Sequence, residues 1–167
     1  MNIENLDKYV DNYQQFLKLN SDIEMKMLWH SGYWDGPLSG LCLLKDKRDI
    51  EPNNQKYWFS YAEAWIDNNS YPEDDDDFEP PWWRRFIIIK PTNNQLADVE
   101  ARHAKFQRMV GTHCDYNDEG KRSNFHYNDT VTKESLKQYY KESKSEITPS
   151  VMINDDQIIG WIELKLR

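Results

Sequence analysis

Phe86-Ile87-Ile88-Ile89-Lys90-Pro91-Thr92-Asn93 is the point where the chain passes from strand to helix, and the fold class follows from it. Four consecutive large apolar residues, three of them β-branched, read as a central strand covered on both faces. Pro91 closes that strand, and Thr92 or Asn93 then caps a helix. Leu96, Val99, His103, Phe106 and Val110 recur at steps of three and four, which makes one apolar stripe. Gly111 stands directly after it, as a C-terminal cap should.

Upstream, residues 56–65 alternate Tyr57, Phe59 and Tyr61 against Trp58, Ser60 and Ala62, a strand with both faces partly covered. Residues 25–30 and 38–44 read as two further strands, separated by the turn signals Ser31-Gly32 and Asp35-Gly36-Pro37. Together the three predict an antiparallel meander. Residues 46–55 are polar, carry Pro52 and read as a loop. Ile3, Leu6, Val10, Tyr13 and Leu17 predict an amphipathic helix over residues 3–17.

Downstream, residues 133–143 predict a short helix with Leu136 and Tyr140 turned inward. Residues 151–153 and 157–166 read as a closing hairpin around Asn154-Asp155, with Ile158, Gly160, Ile162, Leu164 and Leu166 on one face. The expected fold is α+β: an antiparallel sheet of about five or six strands carrying two or three helices, mainly on one face. Residues 1–167 are expected to form a single domain.

Composition narrows the function classes. Aromatics make up 14% of the 167 residues, with seven Trp and ten Tyr, enough ring area to offset chain entropy. The mean hydropathy of −0.94 reflects Asn, Asp, Lys and Gln on loops and outer faces. Residues 1–20 hold no apolar run of signal-peptide length, and apolar runs as long as residues 86–89 are still far too short to span a membrane. A cytoplasmic protein with no membrane contact is expected, and the Asn68 and Asn128 glycosylation patterns are read as coincidence. Cys42 and Cys114 are too few and too far apart for a disulfide framework or a zinc site.

The net charge of −8 is unevenly spread. Residues 73–79 (Glu-Asp-Asp-Asp-Asp-Phe-Glu) carry −6 of it, which leaves a nearly neutral remainder and one acidic loop. Nucleic-acid binding is therefore not expected, nor is mimicry of DNA, which needs carboxylates spread along a surface. The loop lacks the Gly of a calcium-binding hand, so calcium is not expected there.

The densest cluster of unusual residues is Trp29-His30-Ser31-Gly32-Tyr33-Trp34-Asp35-Gly36-Pro37-Leu38-Ser39-Gly40. Gly and Pro fix this backbone, and rigid rings suit a contact surface. Tyr33, Trp34 and Asp35 are the expected contact residues, joined by Asp75 and Asp76 of the acidic loop. Trp82 is added because Trp82 and Trp83, adjacent on a strand, point to opposite faces and are not both expected in the core.

Glu100 and His103 have the Glu-x-x-His spacing of carboxylate-bridged metal bundles. Such bundles need two copies plus further Glu from other helices, and one copy is present. His103 is expected instead at the edge of the core, bonding a backbone or side-chain acceptor. His113-Cys114-Asp115 sets a thiol beside an imidazole, but adjacency in sequence does not place them in hydrogen-bond geometry, so a polar loop is expected. Ser-centred elbows, Gly-rich dinucleotide loops, phosphate loops and kinase signatures are all missing from the sequence.

The function expected from these features is that of a small acidic binding protein: an immunity-type, anti-defence or regulatory partner, bound to another protein, a basic one if the acidic loop makes the contact. No catalytic set, metal or cofactor is expected. The alternative is a small-ligand sensor or enzyme, with a pocket around Asp35, Glu100 and His103 and a metal as an optional participant. The two separate in space. A His103 that faces a cleft shared with Asp35 or His113 favours the alternative, and a His103 packed and bonded to backbone disfavours it.

Overall fold

A computed structural model describes residues 2–31, 37–48, 54–66, 82–112, 114–119, 121, 132–145 and 150–165. In chain order it contains β1 (Asn2–Ile3), α1 (Leu6–Val10), a 3-10 turn at Tyr13–Gln15, β2 (Ile23–Ser31), β3 (Ser39–Asp46) and β4 (Lys56–Ile66). Then follow β5 (Trp82–Ile89), α2 (Asn93–Met109), α3 (Lys133–Ser145), β6 (Ser150–Val151), a 3-10 turn at Asp155–Gln157 and β7 (Ile158–Lys165). The main sheet has the order β2-β3-β4-β5-β7, every neighbouring pair antiparallel. This is the expected α+β architecture, with a curled sheet of five strands and three helices.

The strand β5 organises the core. Phe86, Ile87, Ile88 and Ile89 are all 0% exposed, with alternate side chains entering two different clusters. Ile87 and Ile89 join Leu41, Trp58, Val99 and Trp161 on the helix-covered face. Phe86 and Ile88 join Met27, Cys42, Phe59 and Ile162 on the other. Each such side chain contributes about 1.5–3 kcal/mol through burial. Helix α2 begins in a reciprocal capping box: Gln95 N donates to Thr92 Oγ1 (3.3 Å) and Thr92 N donates to Gln95 Oε1 (2.8 Å). The α2 stripe then sets Leu96 and Val99 against the sheet.

The curl has a local cause. Trp161 N donates to Leu17 O and Leu19 N donates to Trp161 O, both at 2.9 Å, so residues 17–19 lie along the outer edge of β7. The chain then enters β2, the opposite edge of the sheet, and ties the two edges together. Gly160 permits this approach. Its φ is +145°, and a Cβ there would lie 2.3 Å from Leu17 O.

Three expectations about the ends of the chain are corrected. Residues 3–17 are not one helix. Ile3 pairs with Val151 in the small parallel β1–β6 sheet, and α1 is five residues long. Asn12 Nδ2 donates to Lys8 O at 3.0 Å, a side-chain bond of the kind that competes with helix propagation. The buried residues are Ile3, Tyr9 and Tyr13, while Leu17 is 71% exposed. Residues 151–153 do not form a hairpin with β7 either. Asn5 holds them through Asn5 Nδ2 to Ile153 O (2.7 Å) and Ile153 N to Asn5 Oδ1 (3.1 Å). Last, a bulge at Ile159 breaks the alternation in β7, between the pairs Ile88↔Gly160 and Ile89↔Ile158. Ile158 therefore packs with the helix-covered cluster, and Ile162 and Leu164 with the other.

Candidate functional site: a cleft between α2 and the β2 edge

His103 reaches a cleft through the α2 stripe, and Trp29 reaches it through an irregularity in β2. The register passes from Met27↔Cys42 to Trp29↔Leu41, which makes Leu28 an extra residue. Such a bulge re-aims the side chains that follow. Gly40 lies opposite, where a Cβ would sit 2.1 Å from Trp29 O. Trp29 thus turns toward α2, with its ring edge-on to Trp58 (5.7 Å, 72°) and stacked on His103 (4.3 Å between centroids, 6° between planes).

Asp115 is delivered by the same strand edge. Tyr116 N donates to Leu28 O (2.9 Å) and His30 N donates to Cys114 O (3.0 Å), so residues 114–116 pair with β2 directly across from Trp29. Asp115 Oδ1 then lies 2.7 Å from His103 Nε2. The contact is bent, since Oδ1 receives no in-line donor, while Oδ2 accepts from Gln107 Nε2 at 2.8 Å. The two side chains are 12% and 14% exposed. His103 Nδ1 has no hydrogen-bond partner among the described residues.

Leu28, Leu41, Ala104 and Tyr116 complete the walls of a cavity of about 330 Å³. At its rim Lys56 Nζ pairs with Glu100 Oε1, both about two-fifths exposed. The cleft therefore has a mixed lining of apolar and polar side chains, with a buried imidazole–carboxylate pair and an outer pair of opposite charges.

The expected site residues are distributed unevenly over this structure. Glu100 and His103 line one cleft, as the alternative pocket requires. They do not share a ligand position, because Glu100 is held by Lys56 and His103 by Asp115. Among the described residues no group of three His, Cys, Asp or Glu side chains is placed to hold a metal ion. Trp82 is the first residue of β5, in register with Ile66. Tyr33, Trp34, Asp35, Asp75 and Asp76 lie outside the described residues, as does His113. Trp29 and Asp115 stood in stretches that the sequence singled out, but not as neighbours of His103, and Lys56 and Gln107 were not singled out. Only Gln107 carried a local signal, being four residues after His103 on the same helical face.

A second polar cluster lies on the helix-covered side of the sheet. Arg85 Nε donates to Glu163 Oε2 (2.8 Å), and Nη1 donates to Tyr13 Oη (2.7 Å) and Glu63 Oε2 (2.8 Å). Burial opposes the Arg85 charge, but the bonds to Glu163, Tyr13 and Glu63 outweigh it and raise the pKa. Tyr13 also donates to Glu63, and with Arg85 it holds the Glu63 carboxyl below its ordinary range against the opposing effect of burial. A hollow of about 430 Å³ borders this cluster between residues 10–15 and Glu63. Arg85, Glu63, Glu163 and Tyr13 bond one another, which is the mark of a structural network tying the 3-10 turn to β4, β5 and β7.

Among the described residues, no helix is long and apolar enough to cross a membrane. No family model, curated protein or solved structure matches the chain.

Proposed function

We propose that the protein binds a small polar molecule in the α2–β2 cleft, with His103 as a polar contact to it. The observation that carries this reading is the cleft lining: His103, 2.7 Å from Asp115 and mostly buried, stands there with Gln107, Lys56 and Glu100. Convergent polar groups on an apolar lining are the ordinary make-up of a ligand site. The stack on Trp29 pre-orients the ring, so little is lost in ordering it on binding. Among the described residues the cleft lining holds no Ser, Thr or Cys beside the imidazole, so binding is favoured over covalent catalysis.

The test is a thermal-shift screen of small metabolites, followed by calorimetric titration of each hit against wild type and His103→Phe. Phenylalanine keeps the stack on Trp29 and removes both nitrogens. A hit that loses about tenfold or more in affinity supports the cleft. Hits that bind His103→Phe as tightly as wild type overturn it.

The partner-protein reading rests on Tyr33, Trp34, Asp35 and the acidic loop, whose support is the sequence alone. It becomes the better reading if the screen yields no ligand and pulldown returns one protein that is lost on Trp34→Ala.

A further inference from the structure

Gln107 specifies a chemical class of ligand. It follows His103 by one turn of α2 and lines the same cleft. Its side-chain amide meets Asp115 Oδ2 at 2.8 Å. A carboxylate accepts hydrogen bonds, so the end of the amide turned to Asp115 is the donating one, Nε2. Asp115 thereby orients the amide and leaves Oε1 as its remaining acceptor. Among the described residues Oε1 makes no hydrogen bond, and it is not sealed in the interior.

The charged side chains around it are already engaged. Lys56 and Glu100 satisfy each other at the rim. Asp115 is held from two sides, with His103 against Oδ1 and Gln107 on Oδ2. An anion would have to break the Lys56–Glu100 pair, and a cation would have to draw Asp115 from its neighbours. A neutral guest leaves both contacts intact and needs only a donor for Gln107 Oε1. Leu28, Leu41 and Ala104 offer an apolar surface for its body. The volume of about 330 Å³ lies at the small end of ligand sites, which suits a compact molecule.

We infer that the α2–β2 cleft takes a small neutral molecule with an apolar body and an N–H or O–H group, and that Gln107 Oε1 is the acceptor that selects it. Asp115 acts as the positioning residue, because its carboxylate decides which end of the amide faces the guest. This inference rests on the cleft being the ligand site, as proposed above.

Indole and benzofuran test it, since the two share a shape and differ in having an N–H or a ring oxygen at one position. In NMR titrations near neutral pH, wild type should bind indole about threefold or more tightly than benzofuran, the difference one hydrogen bond makes. Gln107→Met should bring the two affinities together, whereas a merely structural role would weaken both and keep their ratio. Asp115→Asn lets the amide turn either way, so it should narrow the ratio as well. Melting curves of both variants establish that they remain folded. Benzofuran binding to wild type as tightly as indole would overturn the inference, as would a preference for indole that survives in Gln107→Met. Failure of both probes to bind would overturn it too. The cleft reading is decided separately, by whether the hits of the metabolite screen depend on His103.

Discussion

His103 lies flat on Trp29, with ring centroids 4.3 Å apart and planes 6° from parallel, while its Nε2 meets Asp115 Oδ1 at 2.7 Å. One side chain thereby joins α2 to the β2 bulge and to the segment paired with the β2 edge. His103→Ala removes the stack and leaves the Asp115 carboxylate without its cation-capable neighbour, at a cost of about 1–3 kcal/mol. His103→Phe retains the stack, which for aromatic pairs amounts to about 0.5–1.5 kcal/mol beyond area burial. Urea denaturation should therefore rank wild type above the Phe variant and the Phe variant above the Ala variant. If the two variants are equally unstable, the Asp115 contact alone holds the ring.

The Glu63 network predicts a particular response to acid. Its carboxyl is held below the ordinary value of 4.5, first by the Tyr13 hydrogen bond and, against burial, by Arg85. A depressed folded pKa means that the stabilisation is complete above the unfolded value and is lost as pH falls through the folded one. Glu63 is 45% exposed, so solvent and salt screen the effect. Wild type should be more stable than Glu63→Gln at neutral pH, and the gap should narrow below about pH 4.5. Asp155 is depressed in the same direction by Tyr9 and then Lys8, so the variant keeps some acid sensitivity. Melting temperatures of both proteins across this range check it. A gap that is constant with pH would mean that Glu63 acts by packing alone.

The acidic loop is the part of the partner reading open to direct test. Deleting residues 73–78 removes five of its six carboxylates, and the fold should persist, since loop length carries a small entropic cost. If the loop meets a basic partner, the deletion should slow association at low ionic strength, and salt should abolish the difference. Stopped-flow association at two salt concentrations measures this. An unchanged rate at low salt would remove the loop from the contact.

The elements that were legible in the sequence are those whose cause is local. The 86–89 run became the doubly covered strand β5, and Thr92 with Gln95 began α2 where the spacing placed it. The losses trace to single residues that act over distance. Asn5 holds residues 151–153 apart from β7, and the bulge at Ile159 turns Ile158 to the other face of the sheet. His103 and Glu100 share a cleft because both lie on one face of a helix, a periodicity that sequence displays. Asp115 and Trp29 meet them only through strand pairing between residues 114–116 and β2, which no local pattern announces.

Gly160 provides the most demanding test of the curl. At φ = +145° an L side chain is strained, and a Cβ would stand 2.3 Å from Leu17 O and 3.0 Å from Leu19 Cδ2. Neither neighbour yields easily, because Leu17 O is backbone and accepts from Trp161 N at 2.9 Å. Relief in Gly160→Ala requires residues 17–19 to leave the edge of β7, which breaks the bonds between Trp161 and both Leu17 and Leu19. Backbone strain of about 1–3 kcal/mol adds to about 0.5–1.5 kcal/mol for each lost bond. The variant should therefore lose about 2–6 kcal/mol in denaturant titration. Hydrogen exchange should quicken first at the Leu19 and Trp161 amides, ahead of β4 and β5. Uniform acceleration across the whole sheet would show that the clasp does not open as a unit of its own. A neutral substitution would mean that residues 17–19 do not hold the two edges together.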